Sequence, residues 1–313
     1  MLPHWFTHIL ISLYKRFHVK HLKGVLAVSI LFVVSLLPLK LARKFGAMLG
    51  RKMADGDTKA GRITRRNIEI CFPELTAQER EAFALRSLEE TGRSAGEMGM
   101  SWMWSASRVL KKIDKVSGED ILQNALDQNK GVILIAPHLG NWEVLGLYLS
   151  GRYPTTSMYR PPKLELMDKI IKRKRERIGA KLAPANVKGV RMTMKALKAG
   201  ELVIILPDQE ADIGSGVFAP FFGVEAYTMK LLPQLAAQTG AIVVSGYARR
   251  VSDSDGFELC FNAADSAVGD KDLTVAAAAM NAEVEKCARQ EPDQYQWEYR
   301  RFDYRPEGEP KIY

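Results

Sequence analysis

After about residue 112 the sequence alternates between short β-branched runs and longer stretches with helical spacing. The predicted strands cover residues 131–136, 154–159, 202–207, 241–247 and 257–262, and the predicted helices cover residues 143–150, 164–178, 188–199, 229–239 and 273–290. Alternation at this spacing is typical of a mostly parallel sheet covered by helices. We therefore predict an α/β fold over residues 112–313.

Two segments of different character precede this part. Residues 24–39 read GVLAVSILFVVSLLPL, a charge-free run with basic residues on both sides. Sixteen helical residues span roughly 24 Å, short of a hydrocarbon core of about 30 Å, although flanking lysines can extend the reach of such a helix. We predict that residues 1–45 form a membrane-anchoring helical segment, which spans or lies on the membrane, rather than a buried core helix. Residues 46–111 are predicted to be a helical part of the soluble body.

Charge and cysteine content limit the classes of partner and site. The net charge of +9 favours acidic partners, which are nucleic acid, anionic lipid or an acidic protein. No nucleic-acid-binding signature accompanies the charge, so we expect no nucleic-acid partner. The three cysteines are far apart and form no Cys-x-x-Cys pair, so we expect neither a metal site nor a disulfide framework.

The residues after the predicted strand 131–136 are the strongest candidates for chemistry. They read HLGNWE, and open α/β sheets bind their ligands at the carboxyl ends of strands. Gly140 permits a turn and Asn141 can cap the helix that follows. Glu143, in the first helical turn, is then expected to accept a hydrogen bond from the ring of His138, leaving the other ring nitrogen free to take a proton. The alternative is a structural histidine at a strand end and a glutamate that complements the helix dipole.

Two polar residues and one basic helix in the α/β part are further candidates. Arg160 follows the strand at 154–159, Asp208 follows the strand at 202–207, and the helix around residues 166–177 carries bases that are mostly expected to face solvent. Arginine binds phosphate or carboxylate through two parallel hydrogen bonds, so one or two of these bases could still reach an anionic substrate.

One motif points to a different enzyme class. Residues 92–96 read GRSAG, which matches the serine nucleophile elbow of α/β-hydrolases. That elbow requires a strand directly before it, whereas residues 77–90 have a charged helical pattern. We therefore expect these glycines to end or pack a helix.

Five sequence blocks in order resemble the lysophospholipid acyltransferase superfamily, and more narrowly the late lipid A acyltransferases of Gram-negative bacteria. The blocks are His138 with Glu143, Arg160-Pro161, Pro207-Asp208-Gln209, the loop FAPFFG at 218–223, and the tryptophan and double-arginine ending at 297–301. Arg175 with Gly179, and the helix around residues 66–74, also fit that pattern. Many members of the wider superfamily carry aspartate where this chain has Glu143.

The resemblance implies an O-acyltransferase that moves a fatty acyl group from an acyl carrier protein thioester to a hydroxyl on a lipid A precursor. His138 is then the general base and Glu143 stabilises its charged ring, with direct attack and no acyl-enzyme. Arg160, Arg175 and Asp208 become the substrate-binding candidates, the arginines for anion contact and Asp208 for an orienting role. No cofactor is implied. The expected location is the bacterial inner membrane, in contact with its lipid and with the catalytic part facing the cytoplasm.

Two other activities use the same residues. A related acyltransferase acts on a glycerophospholipid, and a thioesterase or phospholipase uses the histidine to activate water. A membrane-tethered binding protein without catalytic activity is a third alternative.

Overall fold

The computed structural model describes residues 21–252 and 254–313. The strands are β1 (Ile113–Ser117), β2 (Val132–Ile135), β3 (Thr155–Tyr159), β4 (Lys181–Pro184), β5 (Leu202–Ile205), β6 (Gly216–Phe221), β7 (Val224–Met229), β8 (Ile242–Arg250) and β9 (Phe257–Ala263). The helices are α1 over residues 21–36 of the described part, followed by α2 (Leu39–Asp55), α3 (Lys59–Cys71), α4 (Ala77–Met103), α5 (Ala106–Leu110), α6 (Glu119–Asp127), α7 (Trp142–Ser150), α8 (Glu165–Arg175), α9 (Val187–Lys198), α10 (Leu231–Thr239) and α11 (Leu273–Gln290).

Seven strands form one sheet in the order β1-β9-β8-β2-β5-β3-β4. All pairings in this sheet are parallel except that of β8 with β9. The central strand β2 is buried on both faces, because Ile133 and Ile135 pack into one hydrophobic cluster while Val132 and Leu134 pack into another. Helices therefore flank the sheet on both sides, and the predicted mostly parallel α/β sheet is confirmed.

The five predicted strands correspond to β2, β3, β5, β8 and β9, and the five predicted helices to α7–α11. Four strands were not predicted. β1 and β4 are the two edge strands of the sheet, and their partly exposed sequences IDKVS and KLAP lack an apolar run. β6 and β7 form a separate antiparallel hairpin. Its turn uses Phe222 and Gly223, both with positive φ, a conformation that the phenylalanine does not signal.

The amino-terminal helices pack against α4. The backbones of α2 and α4 approach so closely that a Cβ on Gly92 would lie 2.0 Å from the carbonyl oxygen of Gly46. The GRSAG motif therefore lies inside a helix, and its glycines permit helix packing.

The predicted membrane anchor is not confirmed by the helices that the structure describes. Within residues 21–252 and 254–313, no helix is both long enough and apolar enough to cross a membrane. Residues 1–20 of the predicted anchor lie outside the described residues. Helix α2 continues through residue 45, where the anchor segment was predicted to end.

Candidate active site

The parallel pairing of β2 with β5 brings His138 and Asp208 together. In the register of this pair Ile135 lies opposite Ile205. Both strands continue for one residue, then a proline, then a polar side chain, so His138 and Asp208 stand at the same offset from paired residues. As a result Nδ1 of His138 lies 2.8 Å from Oδ1 of Asp208, and the backbone N–H of His138 donates to Oδ2 at 2.8 Å.

The buried carboxylate of Asp208 complements a charged imidazole. Burial alone would raise the pKa of Asp208, but the charge of His138 and the hydrogen bonds from its ring and backbone lower it. Asp208 therefore stays ionised and fixes the His138 tautomer with the proton on Nδ1. Nε2 is the ring nitrogen left to accept a proton. The ring also packs edge-on against Trp142, with 5.1 Å between centroids.

Glu143 occupies the first turn of α7, where it binds an arginine. The helix is capped as predicted, since the side chain of Asn141 accepts a hydrogen bond from the backbone N–H of Val144. Nε of Arg175 donates to Oε2 of Glu143 at 3.0 Å, and Nη2 donates to Oε1. Burial would lower the pKa of Arg175, but the charge and hydrogen bonds of Glu143 raise it.

The predicted hydrogen bond from His138 to Glu143 is therefore wrong. Within the described residues, no hydrogen bond or ion pair joins the two side chains, because Asp208 occupies Nδ1 and Arg175 occupies the carboxylate. The neighbouring strand delivers its carboxylate directly to the ring, whereas Glu143 is oriented by α8.

A cavity of about 830 Å³ opens in front of His138. Glu143, Arg175 and Arg160 line it as well. Arg160 is exposed at the rim, where it forms an ion pair with Asp212. Asp208 does not line this cavity. It is buried behind His138, so it contacts the imidazole ring rather than the cavity contents.

A buried charged network behind the loop at residues 138–143 was not predicted. Glu97 is fully buried and accepts hydrogen bonds from Arg43, Arg250 and the side-chain amide of Asn141 at 2.6, 2.9 and 2.9 Å. Arg250 also donates to the carbonyl oxygen of Gly140 at 3.2 Å. Glu97 has an ordinary helical context in the sequence, so only the arginine at the end of a long strand could have drawn attention to this network.

Gly140 is required by the path of the same loop. Its φ is +61°, and a Cβ there would lie 2.0 Å from the carbonyl oxygen of Ala248. The backbone amides of Gly140 and Asn141 donate to the carbonyl oxygens of Gln294 and Ala248. The loop between His138 and Glu143 is thus fixed at both its backbone and its side chains.

The cysteines lie away from this cavity and are poorly suited to act as nucleophiles. Burial raises the pKa of Cys287 to about 12 and also raises the pKa values of Cys71 and Cys260. A thiol with a raised pKa holds little thiolate at neutral pH. In the described part of the chain no group of three or more metal-ligating side chains is close enough to hold a metal ion.

Comparison with known proteins agrees with the resemblance seen in the sequence. The family model of the bacterial lipid A biosynthesis acyltransferases matches residues 14–303. The chain is 32% identical over 289 residues to the lipid A biosynthesis lauroyltransferase of Escherichia coli K12, covering 92% of this chain and 94% of that protein. It is 36% identical over 253 residues to the palmitoleoyltransferase of the same organism, covering 80% and 81%. The myristoyltransferase of that organism is 24% identical over 306 residues, covering 95% and 91%. The chain therefore belongs to the bacterial lipid A biosynthesis acyltransferase family.

Proposed function

We propose that this protein transfers a fatty acyl group from acyl carrier protein to a hydroxyl on an acyl chain of a lipid A precursor. The observation that carries this proposal is His138, which faces a cavity of about 830 Å³ while a buried carboxylate holds its Nδ1. Family membership supports the acceptor class, and the names of the relatives describe transfer of lauroyl, palmitoleoyl and myristoyl groups. The net charge of +9 suits an acidic donor protein and an acidic lipid surface.

In the proposed mechanism His138 acts as the general base. Nε2 removes the proton from the acceptor hydroxyl while Asp208 stabilises the imidazolium that forms. The alkoxide attacks the thioester carbonyl carbon, the carbon–sulfur bond breaks, and the imidazolium returns its proton to the thiolate. General-base assistance typically contributes about 10²–10⁴-fold in rate, so positioning of both substrates supplies much of the rest.

Direct attack without an acyl-enzyme is consistent with the contacts of His138. In the described residues its ring has one hydrogen-bond partner, Asp208, so no serine hydroxyl is in place to be activated by it. Ser150, which lines the cavity, donates instead to the backbone carbonyl oxygen of Gly146. The raised pKa values of the cysteines argue against a thiolate nucleophile.

Glu143 supports the reaction by holding Arg175 on the cavity wall. The guanidinium uses Nε and Nη2 for this pair, which leaves Nη1 to contact an anionic group of a substrate. Arg160 at the cavity rim is a second cation for the same purpose. Glu143 is thus a positioning residue, and Asp208 is the direct partner of the base.

The exposed faces of α1 and α2 are suited to contact a membrane. On α2 the exposed apolar side chains follow helical spacing on one face, and α1 exposes a further set; together they are Leu22, Val25, Leu26, Ile30, Phe32, Val33, Leu36, Leu41, Phe45, Met48 and Leu49. An apolar helix face flanked by lysines binds the interface of an anionic bilayer. We therefore propose that the protein lies on the inner membrane, with its catalytic part facing the cytoplasm, as a cytosolic acyl donor would require.

The test is acyl transfer by purified protein in detergent. Acyl carrier protein bearing a labelled acyl group is supplied with a lipid A precursor, and products are followed by mass spectrometry. We expect one added acyl mass for the native protein and a loss of at least about 100-fold in His138→Ala. Lys198→Ala is the matched control, because Lys198 is exposed on α9 and does not line the cavity.

Three results contradict the proposal. Equal transfer by His138→Ala would show that His138 is not the base. Transfer only to a lysoglycerophospholipid would show that the acceptor is not a lipid A precursor. Release of free fatty acid at a rate that acceptor does not diminish identifies a hydrolase.

A further inference from the structure

A second cavity lies beside the candidate active site. It is an apolar groove of about 380 Å³ between α1, α4 and α8, formed mainly by Val28, Phe32, Val33, Met103 and Ile170. Phe32 and Val33 are themselves largely exposed on the face of α1 that we assign to the membrane. A lipid in the bilayer surface can therefore reach the groove without crossing a polar surface.

Basic side chains lie where this groove meets the larger cavity in front of His138. Arg173 and Lys174 line the groove, Lys174 and Arg177 line the larger cavity, and so Lys174 is shared by both. The two spaces are thus adjacent, and the boundary between them is positively charged.

These cations lack anionic partners. In the described part of the chain, neither Arg173 nor Lys174 has an ion pair or hydrogen bond with a carboxylate. Arg177 donates to the backbone carbonyl oxygen of Ser101, while its buried Nε has no partner. Burial, followed by the charges of Arg177 and Arg173, lowers the pKa of Lys174. Glu143 is the carboxylate that acts on Arg177, and it is already bound to Arg175.

We propose that this junction binds a phosphate of the acceptor lipid on Arg173, Lys174 and Arg177, and that the apolar groove holds one of its non-reacting acyl chains. The occupant is a phosphorylated lipid because one space combines unpaired cations with an apolar channel next to the membrane face. A free phosphate would leave the groove empty, and an apolar molecule would leave the cations unpaired. This inference rests on the proposed function for the identity of the acceptor.

The arrangement fixes the acceptor at two points away from the reacting hydroxyl. A phosphate at Lys174 lies on the wall of the cavity that contains His138, so binding there directs a neighbouring acyl chain towards the base. Such contacts are made equally in the bound substrate and in the transition state. They are therefore expected to change KM and leave kcat nearly unchanged.

The first experiment measures equilibrium binding without the acyl donor. Native protein and the Arg173→Ala/Lys174→Ala double variant are titrated with a phosphorylated lipid A precursor and with the same lipid after removal of its phosphates. We expect the double variant to weaken binding of the phosphorylated lipid about tenfold or more, since two charge-assisted contacts are lost. Binding of the dephosphorylated lipid should change less than about threefold. Lys198→Ala, on the exposed end of α9, is the matched control.

The second experiment fills the groove. Ser29→Trp places a large side chain in it, whereas Ile30→Trp places the same side chain on the adjacent position of α1 that does not line the groove. We expect Ser29→Trp to weaken binding of the lipid about tenfold, and Ile30→Trp to have an effect of less than about threefold.

The outcomes separate this inference from the proposed function. If binding is selective and depends on phosphate but no acyl transfer occurs, the lipid-binding site is supported and the proposed transfer reaction is contradicted. Equal losses for both lipids in the double variant overturn the phosphate contact, and no loss in Ser29→Trp overturns the groove. If the double variant binds both lipids as the native protein does but has an increased KM for the acyl donor in the transfer assay, the cations contact the carrier protein, which also overturns the proposal.

Discussion

His138 and Glu143 lie five residues apart, yet different kinds of element provide their partners. His138 meets Asp208 because β2 and β5 are paired in register and end in the same way. Glu143 meets Arg175, 32 positions later in the chain, because α7 and α8 pack side by side. The strand-end pair is fixed by backbone hydrogen bonds, whereas the helix pair depends on the packing of two helices. The strand-end pair is therefore the more rigidly held of the two.

The largest effect is expected for Asp208→Asn. An amide cannot stabilise the imidazolium as a carboxylate does, so kcat should fall by about 10²–10⁴-fold, the range that general-base assistance contributes. KM should change little because Asp208 does not line the cavity. Steady-state transfer kinetics measure both values. A loss of less than about threefold would mean that His138 works without its buried partner.

The ion pair of Glu143 with Arg175 is expected to stabilise the folded protein. Glu143→Gln and Arg175→Met each leave a largely buried charge without its partner, which typically costs about 3–5 kcal/mol. Removing both should cost less than the sum of the two, with a coupling of about 1–3 kcal/mol. Urea unfolding of the two single variants and the double variant measures this coupling. Additive losses would show that the pair contributes nothing beyond its separate contacts.

The contact between His138 and Asp208 could have been predicted from the sequence. Ile135-Ala136-Pro137-His138 and Ile205-Leu206-Pro207-Asp208 share one pattern, and adjacent parallel strands would bring their fourth residues together. The sequence identified both side chains but assigned the ring of His138 to Glu143, because Glu143 was near in the chain. Strand adjacency was the missing information: β2 and β5 are neighbours although β3 and β4 lie between them in sequence.

The helix pair and the buried network were beyond sequence reasoning. The family resemblance singled out Arg175 as an anion contact, but nothing in its spacing on a helix with several bases indicates that Glu143 is its partner. Glu97 reads as one more acid in a charged helix, but α2 and β8 supply the arginines that surround it. Such contacts depend on how elements far apart in the sequence pack together, whereas a core strand can be predicted from its own apolar run.

Glu210 and Asp208 are both buried carboxyl groups, but their pKa values shift in opposite directions. Glu210 lies two residues after Asp208, but its pKa is raised to about 7 by burial, which a hydrogen bond from the backbone N–H of Tyr304 and the charge of Arg301 only partly offset. The pKa of Asp208 is lowered because His138 supplies a cation and two hydrogen bonds. Burial therefore acts in the same direction on both groups, and the partner decides the outcome.

The smallest effect follows from Glu210. Between pH 4.5 and about 7 the folded protein keeps a proton on this group that the unfolded chain has lost, so the free energy of unfolding falls as pH rises through this range. Glu210→Gln should remove that part of the fall, by no more than about 1 kcal/mol because solvent screens a half-buried group. Urea unfolding at pH 5 and pH 8 measures the difference between the variant and the native protein. The exposed Glu307→Gln is the control. A native-like pH dependence in Glu210→Gln would mean that burial of Glu210 does not cause this fall in the free energy of unfolding.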